Sequence, residues 1–333
     1  MKKIAINGFG RIGKIAYRML VNSNYEVVAI NSHASSEDIA YMLKYDTVHR
    51  TMVYANIDFN DEGIIVNGKF TKVLQIDNPK DYPWKDLEVD LVLDCTGAFT
   101  KDVDAYKHIE AGAKHVLISA PGKGKMKTIV YGVNDDILTK EDKIVSSASC
   151  TTNCLAPVLN LIERFIGIES GFMTTVHAYT NDQNTLDGSH KKGISSRRGR
   201  AAAENIVPAS TGAASAIGEV IPNLKGKLDG SAFRVPTSDG SVIDLSLNLL
   251  RETSKEEINA IFEEYQDDVL KFTYDPVVSS DIIGNPCGAL VDGSLTNVLD
   301  NNKKMVKIVA WYDNENGYTA QMIRTMDKLL NLE

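Results

Sequence analysis

Apolar residues fall into two rhythms along the chain. From Lys2, "KKIAING" is a short apolar run closed by glycine; apolar positions then recur at helical spacing from Arg11 to about Val21, and a second run, "YEVVAINS", follows. This predicts a strand, a helix and a strand. Three further runs, "VDLVLDCTG", "KHVLISAPG" and "KIVSSAS", each stop at small or turn-forming residues, and "DVDAYKHIEAGA" between the first two has helical character. Short apolar runs alternating with helices predict a largely parallel sheet covered by helices. Beyond Cys150 the pattern changes. The longer segments "ESGFMTTVHAYT", "GSVIDLSLNLL" and "MVKIVAWYDN" alternate polar and apolar positions, which predicts an antiparallel or mixed sheet with one face open to solvent or a partner. The expected fold class is α/β, with a first domain over 1–149, an α+β second domain over 150–315 and a last helical stretch, 316–333, able to return to the first.

Length agrees with this division, since 333 residues suit two cores better than one. No apolar stretch approaches the roughly 20 residues that span a bilayer, so no membrane partner is expected. The amino terminus, "MKKIAINGF", lacks the apolar region and cleavage site of a signal peptide, which predicts a cytoplasmic protein with reduced thiols. A net charge of −8 argues against nucleic acid as a primary partner, although the basic "HKKGISSRRGR" at 190–200 needs its own explanation.

Gly8, Gly10 and Gly13 spell G-x-G-x-x-G where the first strand hands over to the first helix. In that context the glycines permit a tight turn, close approach of a pyrophosphate and close helix packing, and the helix start offers amide donors. The dinucleotide pattern usually continues with an acidic residue at the end of the second strand, on the ribose. Here Ser32 stands there, followed by His33, Ala34, Ser35 and Ser36. Loss of a carboxylate removes the barrier to a 2'-phosphate, or else weakens NAD binding without selecting NADP.

"SASCTTNCLAP" holds two of the four cysteines, Cys150 and Cys154. Cys150 follows a strand and precedes a helix, where amides and the helix dipole lower a thiol pKa and favour a nucleophile. No second Cys/His pair has zinc spacing, so no metal is expected, and a reducing compartment disfavours a disulfide. Cys154 reads as a buried small residue, while Cys95 and Cys287 have no evident role. Of six histidines, His177, near the end of a strand after the Cys150 helix, is a candidate base.

"INGFGRIG", "SASCTTNCLAP", "TTVHAYTNDQ", "PASTGAA", "GKLDGSAFRVPT" and "WYDNENGY", in this order, resemble phosphorylating glyceraldehyde-3-phosphate dehydrogenase over essentially the full chain. The resemblance implies a Rossmann domain, a catalytic domain with a mixed sheet, a carboxy-terminal helix packing on the first domain, and a homotetramer. It implies that Cys150 attacks the aldehyde, that His177 handles the proton, and that phosphate releases the resulting thioester as 1,3-bisphosphoglycerate. By matching position it puts Thr180 and Arg234 on the substrate phosphate. Ser149, Thr151, Thr211 and Gly212 surround the attacking phosphate, and Arg198 joins the same anion-binding region. For the cofactor it implies Gly8, Gly10, Arg11, Ile12, Gly13, Ser119 and Asn314.

Two departures from the family pattern bear on the cofactor. Ser32 replaces the usual aspartate, and "LDGSHKK" puts Ser189 where NAD-preferring members usually have proline, as in NADP-using photosynthetic members. Together they imply a preference for NADP over NAD. Against it, Asp77 and Asn78 stand where an arginine near the adenine is usual. An erythrose-4-phosphate dehydrogenase, or a surface or moonlighting binding role on the same scaffold, are the alternative functions.

Overall fold

The computed structural model describes residues 1–332. Its chain forms two compact units, one comprising 1–129, 135–149 and the segment from 322 onward, the other 130–134 and 150–321.

In the first unit, among the described residues, the strands are β1 (Lys2–Asn7), β2 (Tyr25–Asn31), β3 (Ile57–Asn60), β4 (Gly63–Val66), β5 (Lys69–Leu74), β6 (Leu91–Asp94), β7 (His115–Ile118), β8 (Lys127–Thr128) and β9 (Ile144–Ser146). They form one sheet in the order β3-β4-β5-β2-β1-β6-β7-β9-β8. All neighbours are parallel except β3 with β4 and β4 with β5. The helices are α1 (Arg11–Leu20), α2 (Ser36–Lys44) and α3 (Asp102–Glu110).

The apolar runs become central strands because both faces are covered. Ile4 and Ile6 of β1 point into one core with Tyr17 and Leu20 of α1, whereas Ala5, between them, points into the other with Trp84 and Val92. Met322, Met326 and Leu329 of the final helix join the first of these cores. Each such aliphatic side chain removed from water contributes about 1.5–3 kcal/mol before chain entropy is set against it. From β1 the connections run outward to β2 on one side and β6 on the other. That reversal opens a crevice at the carboxyl ends of these strands.

Below the crevice lies a fully buried polar cluster. Trp84 Nε1, which can only donate, points at His108 Nδ1 from 3.0 Å. His108 therefore carries its proton on Nε2, 3.1 Å from Asp94 Oδ2. Asp94 also accepts from Asn7 Nδ2 at 2.9 Å and from Thr96 Oγ1 at 2.7 Å, and so fixes the turn after β6.

The second unit contains β10 (Ile168–Ala178), β11 (Val207–Ser210), β12 (Leu228–Val235), β13 (Ser241–Leu249), β14 (Leu270–Thr273), β15 (Ala289–Asp292), β16 (Asn297–Leu299) and β17 (Asn302–Tyr312), with α4 (Cys150–Phe165), α5 (Ala213–Val220) and α6 (Lys255–Glu264). Helix α7 (Asn316–Leu330) begins here and runs on into the first unit's segment. The sheet order is β11-β12-β10-β13-β17-β15-β14, with β16 beside β17. β10 runs parallel to β12 and β14 to β15, and the remaining pairs are antiparallel. Along β13, Ile243, Leu245, Leu247 and Leu249 are buried while Ser246 is exposed, so one face of the sheet meets α4 and the other is open.

Candidate active site

Helix α4 is buried over most of its length, with Cys154, Leu155, Val158, Leu159 and Ile162 fully buried. It starts at Cys150 itself, whereas the sequence predicts a helix that Cys150 precedes. The chain enters it from β9 through Ala148, held in the left-handed region at φ 57°. Cys150 Sγ lies 3.4 Å from His177 Nε2. His177 is the penultimate residue of β10, and the parallel register sets Arg234 of β12 directly opposite.

The proton on His177 can be placed. Nδ1 is 2.7 Å from Ala178 O, an acceptor only, so Nδ1 donates and Nε2 offers its lone pair to the Cys150 thiol. Arg234 Nη1, 3.0 Å from the same Nδ1, finds its acceptors in Ala178 O at 3.1 Å and Thr180 Oγ1 at 3.0 Å. Burial, and then the Arg234 charge, lower the His177 pKa to about 3, so the imidazole is neutral at physiological pH. The thiol departs from the expectation that a helix start would make it unusually acidic. Burial pushes Cys150 up, and the Arg234 charge and hydrogen bonds at Thr151 offset only part of the rise. The resting pair is thus thiol and imidazole, with the base already aimed at the sulfur.

Tyr312, at the end of β17, was not singled out by the motif reading. Its hydroxyl meets Thr151 Oγ1 at 3.0 Å and Thr175 Oγ1 at 2.8 Å, and its ring stands edge-on to His177. It buttresses both the start of α4 and the base. Alternation along β17 could have indicated an inward Tyr312, but not what it touches.

Beside this pair is a nest of donors. Thr180 Oγ1 donates to Asp182 Oδ1 at 2.6 Å, and Arg198 pairs with Asp182 Oδ2. Arg234 Nε and Gln183 Nε2 are buried with no hydrogen-bond partner. An orphaned buried donor costs about 1–3 kcal/mol, and two of them in one place suit an anion that supplies the missing acceptors. The basic stretch divides its work, for Arg198 enters the nest whereas Arg200 pairs with exposed Asp187. Thr211 and Gly212 sit at the start of α5, where Thr211 Oγ1 accepts from Ala213 N at 3.2 Å. Asn314 Oδ1 accepts from Ser241 Oγ at 2.6 Å, which leaves its amide hydrogens to donate. Ser149 directly precedes Cys150 in the chain, and Ser189 is exposed in the loop between β10 and β11.

In the first unit, a groove of about 500 Å³ is lined by Gly8, Gly10, Asn31, Ser32, His33 and Asp77, among others. Ser119 follows the end of β7 and donates its N–H to Asp94 O at 2.9 Å. Ile12 packs on the core, and the Arg11 guanidinium grips Asp46 at 2.5 and 3.2 Å. Burial opposes charge on Asp46, yet hydrogen bonds from Arg11 and Lys14 hold its carboxyl well below the usual range. The Arg11 side chain is thus engaged with Asp46.

Two family models match the chain: one described as glyceraldehyde 3-phosphate dehydrogenase, NAD binding domain, over residues 2–102, the other as glyceraldehyde 3-phosphate dehydrogenase, C-terminal domain, over 149–314. The chain belongs to the glyceraldehyde-3-phosphate dehydrogenase family. Curated glyceraldehyde-3-phosphate dehydrogenases from Clostridium acetobutylicum and Clostridium pasteurianum are each 49% identical to it and cover 98% of both chains. The Streptomyces coelicolor protein of that name is 49% identical and covers 96% of both. Within the family, NAD(P) is the cofactor class, and the groove fits it. A Cβ on Gly13 would lie 2.0 Å from Gly8 O, so that glycine serves internal packing, whereas a Cβ on Gly10 would meet nothing within 4 Å. Gly10 caps α1 without a side-chain hydrogen bond, and no acidic residue occupies the first turn. A helix start with no side-chain cap and open space above Gly10 suits a pyrophosphate.

Proposed function

We propose that the chain catalyses phosphorylating oxidation of glyceraldehyde-3-phosphate through a thioester on Cys150. The observation that carries this is the neutral His177 beside the Cys150 thiol, flanked by the unpartnered donors of Arg234 and Gln183. Thr180, Arg234 and Arg198 hold the substrate phosphate, with Asp182 giving up its hold on Thr180 and Arg198 as it enters. As Sγ bonds to the aldehyde carbon, its proton passes to His177 Nε2 and on to the new oxyanion, which gives the hemithioacetal. The bound dinucleotide supplies the hydride acceptor. His177 Nε2 takes the hydroxyl proton during oxidation, and the backbone amide of Cys150 steadies the oxygen. A phosphate oxygen then attacks the thioester, Sγ leaves, and the acyl phosphate is released. Ser149, Thr151, Thr211 and Gly212 orient that phosphate, and the Asn314 amide orients the cofactor's carboxamide.

Ser32 and Ser189 support NADP use, since neither repels a 2'-phosphate. The Asp77 carboxylate opposes it, so NADP is accepted together with NAD. A homotetramer in the cytoplasm is the assembly proposed. Phe172, Leu186, Ile194 and Ile206, all exposed apolar residues of the second unit, support association with further copies. Steady-state oxidation of glyceraldehyde-3-phosphate with and without phosphate tests the reading. Turnover should require phosphate and yield an acyl phosphate. An equal rate without it, with free acid as product, would sink the proposal.

A further inference from the structure

We infer that Asp77 is a specificity-determining residue of the dinucleotide groove, supplying from the loop after β5 the carboxylate that the end of β2 lacks. The inference rests on the reading of this groove as a dinucleotide site. β2 ends at Asn31, and the residue after it, Ser32, is half-buried and uncharged. Ser32 Oγ accepts from Ala34 N at 3.3 Å, so its own hydrogen is left to donate. A serine placed like this serves a ribose hydroxyl and a 2'-phosphate equally and does not discriminate between them.

The neighbouring strand does. β5 lies beside β2, and the two strand ends are tied together beyond their last paired residues. Ser32 N donates to Leu74 O at 2.9 Å, and Gln75 Nε2 donates to His33 O at 3.1 Å. The Asn31 side-chain amide then acts as an extra rung. Its Nδ2 donates to Ile76 O at 3.0 Å while its Oδ1 accepts from Ile76 N at 3.0 Å. With both polar groups of Ile76 fixed, the next residue, Asp77, is set on the rim of the groove that Gly8, Gly10 and Ser32 also line.

There its Oδ1 stands 3.3 Å from His33 Nδ1, and the two side chains are 83% and 92% exposed. Packing commits neither, and a contact this open to solvent is weak, so the carboxylate is available to a ligand. A carboxylate accepts hydrogen bonds from ribose hydroxyls and repels a phosphate dianion. Ser32 is thus the permissive element of this groove and Asp77 the discriminating one. Asp77 keeps NAD in use and holds NADP binding down, although the end of β2 has lost its acidic residue.

The test is calorimetric titration of NAD+ and of NADP+ into the wild type, Asp77→Asn and Asp77→Lys, accompanied by kcat/KM for each cofactor. In Asp77→Asn the ratio of the two dissociation constants should move toward NADP by about five- to tenfold, the size of one exposed unit charge at close range, and Asp77→Lys should move it further. Ratios unchanged within about twofold in both variants, with NAD still bound and turned over, would overturn the role of Asp77 and leave the groove's assignment standing. A wild type that binds neither dinucleotide would overturn the groove reading and this inference with it.

Discussion

Arg234 acts on both members of the Cys150–His177 pair through its position opposite His177. Its charge draws the Cys150 thiol down against burial, holds the imidazole neutral, and presents Nη1 to Thr180. Arg234→Gln should therefore have two separable effects. The thiol rises, so alkylation of Cys150 by iodoacetamide at neutral pH slows, because the thiolate is the attacking form. Loss of charge-assisted hydrogen bonds to the substrate phosphate, worth about 1.5–3 kcal/mol, should raise KM for glyceraldehyde-3-phosphate by about 10- to 100-fold while the dinucleotide KM stays put. An unchanged alkylation rate would show that the guanidinium charge is not felt at the sulfur. At this scale the closeness of Cys150 to His177, 3.4 Å apart, was legible because their flanking motifs are specific. The direction of the thiol shift was not legible, since a helix start can be read from sequence but the desolvation that outweighs it depends on residues distant in the chain. The partners of Asp182 and Gln183 were likewise not legible, because they lie on the loop carrying Arg198 and in the Thr180 turn.

At the scale of elements, the turn from β1 to α1 holds a glycine that packing requires, Gly13, and one that packing does not, Gly10. Gly13→Ala forces a Cβ against Gly8 O and should cost about 1–3 kcal/mol, visible as a lower thermal midpoint without cofactor. Gly10→Ala meets no protein atom and should melt like the wild type, yet weaken dinucleotide binding in a titration because the methyl enters the space above the helix amides. If the two variants behaved alike in both measurements, Gly10 would have no ligand to accommodate. The helix and strands of this turn followed directly from the apolar rhythm, as did β6, β7 and β9. The antiparallel β3, β4 and β5 did not, although Asn67 and Gly68, at φ 52° and 79°, form the Asn-Gly turn that favours tight hairpins. Their strands span only four to six residues, and β3 and β5 are largely exposed, so the apolar signal is faint.

At the scale of the molecule, the pH dependence of stability has an identifiable source in the second unit. Asp239 and Asp313 are both buried, and Asp313 already accepts from the backbone N–H groups of Gly284, Glu315 and Asn316 at 2.6–2.9 Å. Burial, and next the charge of Asp313, push Asp239 up to about 9, so it is protonated at neutral pH and hydrogen-bonds its neighbour. In the unfolded chain the same group ionises near its ordinary value of 3.8. Between these limits the folded state binds the extra proton, so rising pH favours unfolding, and the effect levels off above about pH 9. Asp239→Asn keeps the shape and a donor but has no proton to lose. Its thermal midpoint should exceed that of the wild type by a margin that widens from pH 5 to about pH 8, a window lying between the two pKa values. Because Asp313 leads into Asn314, whose amide is oriented by Ser241, the variant should keep its activity at neutral pH. Parallel melting curves for the two proteins across this window would mean that Asp239 is ionised in the folded protein and that its charge is balanced there.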